Sequence, residues 1–252
     1  NTIADQNGFA VCYPKGTVDN WGNNFWNVGY DFHFGVTVDD VGFLESLALY
    51  LQSTYQLSTT NTFITGMSNG GEICYSLAFD GSNVFKAYAP VAGSVFPNGT
   101  VNNLFNPNTP APFFITHGDN DNVTLYEGDL NDQFWGPYLG VDTLVDFWVN
   151  ENSLTSVNID TFPDLNNDGN ITISKKYYSP LTNNEVWLYV HQNDHSWGDS
   201  DIIIEQEIWD FFSLYINNSS EVLDYSNNKK LVSISNLFGQ KINKSNNTFL
   251  LY

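Results

Sequence analysis

The chain has 252 residues, 42% of them hydrophobic, enough for one substantial core, with 28 acidic against 8 basic residues and a formal charge of −20. Every basic residue is lysine, so phosphate and carboxylate recognition lacks a guanidinium fork; the balance excludes nucleic acid as a partner and favours a neutral substrate over an anionic one. A solubility adaptation accounts for the charge without any partner, and no apolar run approaches the roughly 18 residues of a membrane helix.

Residues 1–8 read as the end of a helix leading into a strand over 8–14. Residues 41–55 have helical character, and Thr62–Met67 is a β-branched and aromatic run that reads as a strand. It breaks into Gly66-Met67-Ser68-Asn69-Gly70-Gly71, where a glycine stands two positions before and two after a serine. That spacing suits a nucleophile elbow, a tight turn in strained backbone that admits only small neighbours. Residues 72–79 continue as a helix whose N-terminus points free N–H groups and a positive dipole end at Ser68. An ordinary glycine-rich turn would look the same in isolation.

Candidate partners follow in the order acid, then base. The apolar strand 112–116 runs into His117-Gly118-Asp119-Asn120-Asp121, and Asp119, Asp121 and, more distantly, Asp129 are candidate acids; Asp119 could instead cap its own turn. A helix is expected near 143–152. Strand 185–190 is followed by His191, read as packed at the strand end, and by His195 in the loop Asn193-Asp194-His195-Ser196-Trp197-Gly198, favoured as the base because a loop lets its imidazole reach the serine. An amphipathic helix follows over 202–216. Alternating strands and helices predict an α/β fold with a mainly parallel central sheet, and the order Ser, Asp, His is that of the α/β-hydrolase fold.

Several ordered segments carry a family resemblance: Gly8-Phe9-Ala10-Val11-Cys12-Tyr13-Pro14, Val38-Asp39-Asp40-Val41-Gly42-Phe43-Leu44, Thr65 to Gly71, Tyr88-Ala89-Pro90-Val91-Ala92-Gly93 and His117 to Asp121. Over about the first 215 residues the chain resembles secreted esterases that include polyhydroxybutyrate depolymerase-like proteins, feruloyl esterases and acetylxylan esterases of carbohydrate esterase family one. The resemblance implies a triad of Ser68, Asp121 and His195, with the backbone N–H of Asn69 as one oxyanion donor. It also implies that the first strands, and the His-Gly loop carrying a second donor, precede Asn1. The domain is therefore expected to be N-terminally truncated, with an open sheet edge and weakened activity. The family's Gly-Gly-His-x-Trp-Pro-Gly loop is altered here to Asn193 through Gly198, which bears on the pocket's shape.

The catalytic domain is expected over 1–217, with a linker and partial tail over 218–252. The alternating segment 231–242 and the end 247–252 are similar to C-terminal sorting tails of the type IX secretion system, implying a secreted or cell-surface protein; extra strands packed on the domain are the alternative. Cys12 and Cys74 are too few for a disulfide framework and are read as small hydrophobes. Asp164, Asn166 and Asp168 begin a D-x-N-x-D-G loop, but Lys175 stands where calcium needs a bidentate carboxylate, so they are a weak calcium candidate and a tight turn is favoured.

Among the aromatics, Trp197, Trp135 and Trp26 are candidate substrate-binding residues, with packing as the alternative for each. The resulting expectation is a serine esterase needing no cofactor or metal, a monomer without a membrane span, acting on a neutral feruloyl or acetyl ester of plant polysaccharide. A polyester depolymerase with the same triad and a non-catalytic carbohydrate-binding protein are the alternatives.

Overall fold

The computed structural model describes residues 2–97 and 110–217 and, beyond them, the backbone of three short strands at 234–235, 241–242 and 248–251. Helix α1 (Thr2–Asn7) leads into β1 (Phe9–Cys12), and a small antiparallel pair, β2 (Thr17–Val18) and β3 (Asn24–Phe25), follows. Helix α2 (Asp40–Tyr55) is capped by Asp39, whose carboxylate accepts from the Gly42 N–H at 2.8 Å. A Cβ at position 42 would stand 2.3 Å from that carboxylate, which explains glycine there.

Next come β4 (Thr62–Met67), α3 (Asn69–Phe79), β5 (Tyr88–Val91), β6 (Phe113–Gly118) and α4 (Val141–Glu151). The hairpin β7 (Ser156–Thr161) and β8 (Thr172–Tyr178), then β9 (Val186–His191) and α5 (Ile204–Ser213), complete the continuous part. The remaining strands are β10 (Ile234–Ser235), β11 (Lys241–Ile242) and β12 (Thr248–Leu251).

The central sheet runs β1-β12-β4-β5-β6-β9-β8-β7. Neighbours from β1 to β9 are parallel, and β8 is antiparallel to both β9 and β7. This is an α/β fold with a mainly parallel sheet flanked by helices. Strand β12 lies between β1 and β4, with Phe249 opposite Thr62, while β10 and β11 form a separate antiparallel pair. The linker 218–221 and most of the segment 231–242 lie outside the described residues.

Side-chain alternation splits each inner strand between two cores. Ile64, Phe113, Ile115, Val186 and Leu188 face α2, α3 and α4, while Phe63, Phe114, Trp187 and Tyr189 face α1 and α5. Both faces of β4, β5, β6 and β9 are covered, as a parallel sheet requires, and their carboxyl ends are left side by side at one edge. Strand β7, Ser-Val-Asn-Ile-Asp-Thr, carries Val157 and Ile159 on one face, but both are exposed at the end of the sheet.

Candidate active site

Ser68 sits between β4 and α3 with φ +56° and ψ −124°, outside the regions an L-residue favours, so this partly exposed serine stands on a strained turn. Its N–H is anchored to Val91 O at 2.8 Å, and the N–H groups of Gly71 and Glu72 close onto Ser68 O. A Cβ on Gly66 would lie 2.4 Å from Gly70 O, and one on Gly71 2.8 Å from Val91 O. A Cβ on Gly70 would meet nothing within 4 Å. The tight approach therefore needs Gly66 and Gly71, not the symmetric pair that the spacing suggests. Gly93 matters equally, its Cβ position being 2.9 Å from Ser68 O.

Asp121 follows the end of β6. Its Oδ1 accepts from the N–H groups of Val123 and Thr124, each at 2.8 Å, and its Oδ2 accepts from His195 Nδ1 at 2.8 Å. The Asp121 side chain is fully buried, whereas that of His195 keeps 17% of its surface exposed. Burial alone would raise this carboxyl, but the bonds from His117, His195, Val123 and Thr124 hold it well below the ordinary carboxylate range. An ionised carboxylate only accepts, so His195 Nδ1 carries the proton and Nε2 is the basic nitrogen.

Of the other candidates, Asp119 is exposed and accepts from Asn120, while Asp129 turns its carboxylate to Asn131 N. His191 is wholly buried, and its ring makes no hydrogen bond among the described residues; burial and the neighbouring His117 push it down to about 4.

The loops bearing Asp121 and His195 are fastened together. Asp119 N–H donates to His191 O at 2.9 Å, and Asn120 Nδ2 to Gln192 O at 2.8 Å. Gly118 lets them touch: its Cβ would stand 2.2 Å from Asn193 O and 2.6 Å from Asp194 O. Buried His117 braces the acid from behind, with Nε2 donating to Thr124 O at 2.7 Å and lying 3.3 Å from Asp121 Oδ2.

On the other side, Trp26 pairs with Asn69 much as two strand residues would. Its N–H donates to Asn69 Oδ1 at 2.6 Å, and Asn69 Nδ2 donates to Trp26 O at 3.0 Å. Asn27 N–H donates to buried Asp40 at 2.6 Å, so the Asp39-Asp40 pair caps a helix with one carboxylate and holds this segment with the other. Trp135 packs beside Tyr30 and Phe32, and its carbonyl accepts from Asp31 N–H. Trp197 is half-buried against the core beneath α5. Trp26 is thus bonded to the elbow through Asn69.

Sequence reasoning gave no role to Asp40, Glu72 or the side chain of Asn69, left Tyr30 among the loop aromatics, and set His117 aside as a base. A lone acid inside the apolar run Glu72-Ile73-Cys74-Tyr75-Ser76-Leu77 was the available signal for Glu72. At the D-x-N-x-D-G loop, carboxylate oxygens of Asp164, Asp168 and Asp201 lie within 4.8 Å of one another. Loop amides already occupy all three, Asp168 and Gly169 N–H on Asp164, Asn170 N–H on Asp168, and Leu165 and Asn166 N–H on Asp201.

No protein-family model matches the chain. It is 30% identical over 142 residues to the bifunctional acetylxylan esterase/xylanase XynS20E of Neocallimastix patriciarum, which covers 54% of this chain and 19% of that one. It is 29% identical over 100 residues to a probable feruloyl esterase C of Aspergillus niger, 39% of this chain and 35% of the relative. With feruloyl esterase D of Neurospora crassa it shares 23% over 184 residues, 70% and 56% respectively. The chain thus spans between a fifth and just over half of the length of these curated relatives. Among solved structures, an acetyl xylan esterase from Aspergillus awamori aligns over 76% of this chain and 73% of its own, with TM-score 0.48 and 10% identity.

Proposed function

We propose that the protein is a serine carboxylic-ester hydrolase acting on esters of plant polysaccharide. The observation that carries the reading is a strained, partly exposed serine at one strand end and, two strands along, a buried carboxylate bonded to Nδ1 of a histidine from the loop after the next strand. Ser68 Oγ attacks the ester carbonyl, and its proton passes to His195 Nε2. Asp121 holds the imidazole tautomer and stabilises the cation. The Asn69 N–H supports the developing oxyanion. The proton then goes to the leaving alcohol, and water releases the acid by the same route. No cofactor enters the scheme.

The similarity to acetylxylan and feruloyl esterases supports the substrate class, with an acetyl or feruloyl group as the acyl part. Trp26, Trp135 and Trp197 are proposed to contact the sugar or acyl group, and the protein to work as a monomer. Among the described residues no helix is long and apolar enough to cross a membrane. A secreted or surface location rests on the resemblance of the tail to sorting signals.

Fluorophosphonate labelling of the protein beside Ser68→Ala tests the chemistry: labelling is expected in the parent and abolished in the variant. A folded parent that does not label ends the hydrolase reading and leaves the carbohydrate-binding alternative. A panel of methyl ferulate, acetylated xylan and polyhydroxybutyrate then sorts the acyl group, and turnover confined to polyhydroxybutyrate would replace the polysaccharide reading with the polyester one.

A further inference from the structure

Glu72 occupies the first turn of α3, four residues after the nucleophile candidate and 3% exposed, in a helix where residues 71–78 are all buried. A carboxylate persists in such a place only with partners. Tyr30 Oη donates to Glu72 Oε2. Asn69 Nδ2, already donating to Trp26 O, lies 3.2 Å from Tyr30 Oη and 3.4 Å from the same Glu72 oxygen. These bonds link partly buried Trp26 and Asn69 with buried Tyr30 and Glu72 into one cluster that includes the residue next to Ser68.

Two titratable groups act on the carboxyl, Tyr30 from the segment after β3 and His195 from the loop after β9. Burial pushes it up to about 7, against the hydrogen bonds from Tyr30 and Asn69 and the proximity of His195. Tyr30 is itself held well above its ordinary value by burial and by Glu72, so it remains a donor at neutral pH.

We propose that Glu72 is a positioning residue for acyl transfer: a second buried carboxylate which, from the elbow side, favours the cation that His195 becomes on taking the serine proton, and which orients Asn69. The proposal rests on the triad reading above. No bond to Glu72 forms or breaks, and the Ser68 proton still travels to His195 Nε2 and on to the leaving oxygen. Ionised, Glu72 accepts from Tyr30 and Asn69 and attracts the imidazolium. Protonated, it loses that attraction and accepts more weakly from Tyr30 and Asn69. Acylation therefore depends on the charge of Glu72, and its rate rises as Glu72 loses its proton.

The test is the acylation rate with p-nitrophenyl acetate from about pH 5 to 9, together with fluorophosphonate labelling, for the parent, Glu72→Gln and Tyr30→Phe. The parent is expected to rise in two steps and Glu72→Gln in one. The plateau of kcat in Glu72→Gln should be lowered about tenfold, with little change in KM. Tyr30→Phe keeps the carboxyl but removes a donor to its charged form, so its Glu72 step should move to higher pH. If Glu72→Gln keeps the parent's profile, unchanged or merely scaled, the proposal is overturned while the triad stands. If a folded parent does not label, the triad reading falls and this proposal falls with it. Should Glu72→Gln not fold, Tyr30→Phe decides: an upward step supports the proposal and an unmoved profile overturns it.

Discussion

Gly118→Ala tests whether the base is held in place by the close approach of two loops. A Cβ at this position would stand 2.2 Å from Asn193 O, 2.6 Å from Asp194 O and 3.0 Å from His191 Cε1. The first two are backbone atoms that no rotamer change can move aside. To regain ordinary contact at 3.4 Å, the Asn193 carbonyl must retreat by about 1.2 Å, and overpacking of this kind costs roughly 1–3 kcal/mol of stability. His195 follows Asp194 directly, and its 2.8 Å bond to Asp121 cannot survive a shift of that size. Misplacing a catalytic group by about 1 Å typically costs on the order of 10²-fold in rate. Fluorophosphonate labelling rate and urea unfolding should therefore both fall in Gly118→Ala. Gly198→Ala is the control from the base's own loop, because its added Cβ meets only Ile204 at 3.6 Å. A Gly118→Ala protein that labels within twofold of the parent would refute the reasoning.

Asp121→Asn should reduce labelling by on the order of 10⁴-fold, since the amide no longer enforces the Nδ1–H tautomer of His195. The Asp121 carboxyl is held down in the folded protein, so its stabilisation is present above the unfolded value near pH 4 and is lost as pH falls below it; the urea midpoint should drop less in this acid range for Asp121→Asn than for the parent. His191 supplies a separate window. Its folded value of about 4 lies below the unfolded value near 6.5, so the unfolded chain binds more protons in between and stability falls as pH drops through that range. The interval corresponds to about 3 kcal/mol. His191→Gln should lack this loss, and parallel midpoint curves for parent and variant between about pH 6.5 and 4 would contradict the assignment.

Local rules made the strands β4, β6 and β9 legible, because each is an apolar run of strand length ending in glycine or polar residues, and the serine, aspartate and histidine candidates followed from those ends. The choice of Asp121 over Asp119 needed the family resemblance, since both stand in the same polar turn and only burial separates them. Gly118 and Gly93 were opaque because what each approaches is distant in sequence: the Asn193 carbonyl for one and the Ser68 carbonyl for the other. Glycine at a turn says that space is short without saying against what. The same holds for Asp40, whose neighbour Asp39 has the readable capping position while Asp40 bonds an amide thirteen residues back.

The charge of the chain bears on the proposed reaction at its end as well as its start. The ester that enters is neutral, and the acid that leaves is an anion. A net −20 without one guanidinium gives that anion no bidentate partner, and the field of the surface favours its departure. In the proposed reaction the cation formed at His195 is stabilised by Asp121 through a direct bond and, on the inferred reading, by Glu72 through space. A positive group in the pocket would oppose both steps, holding the carboxylate product and raising the cost of the cation. Among the described residues, Lys176, the lysine with the most evident packing partner, has its ammonium 3.5 Å from the Trp187 ring centroid. Trp187 belongs to the core facing α5, so that charge is spent on the flank of the sheet, away from the strand ends that carry serine, acid and base.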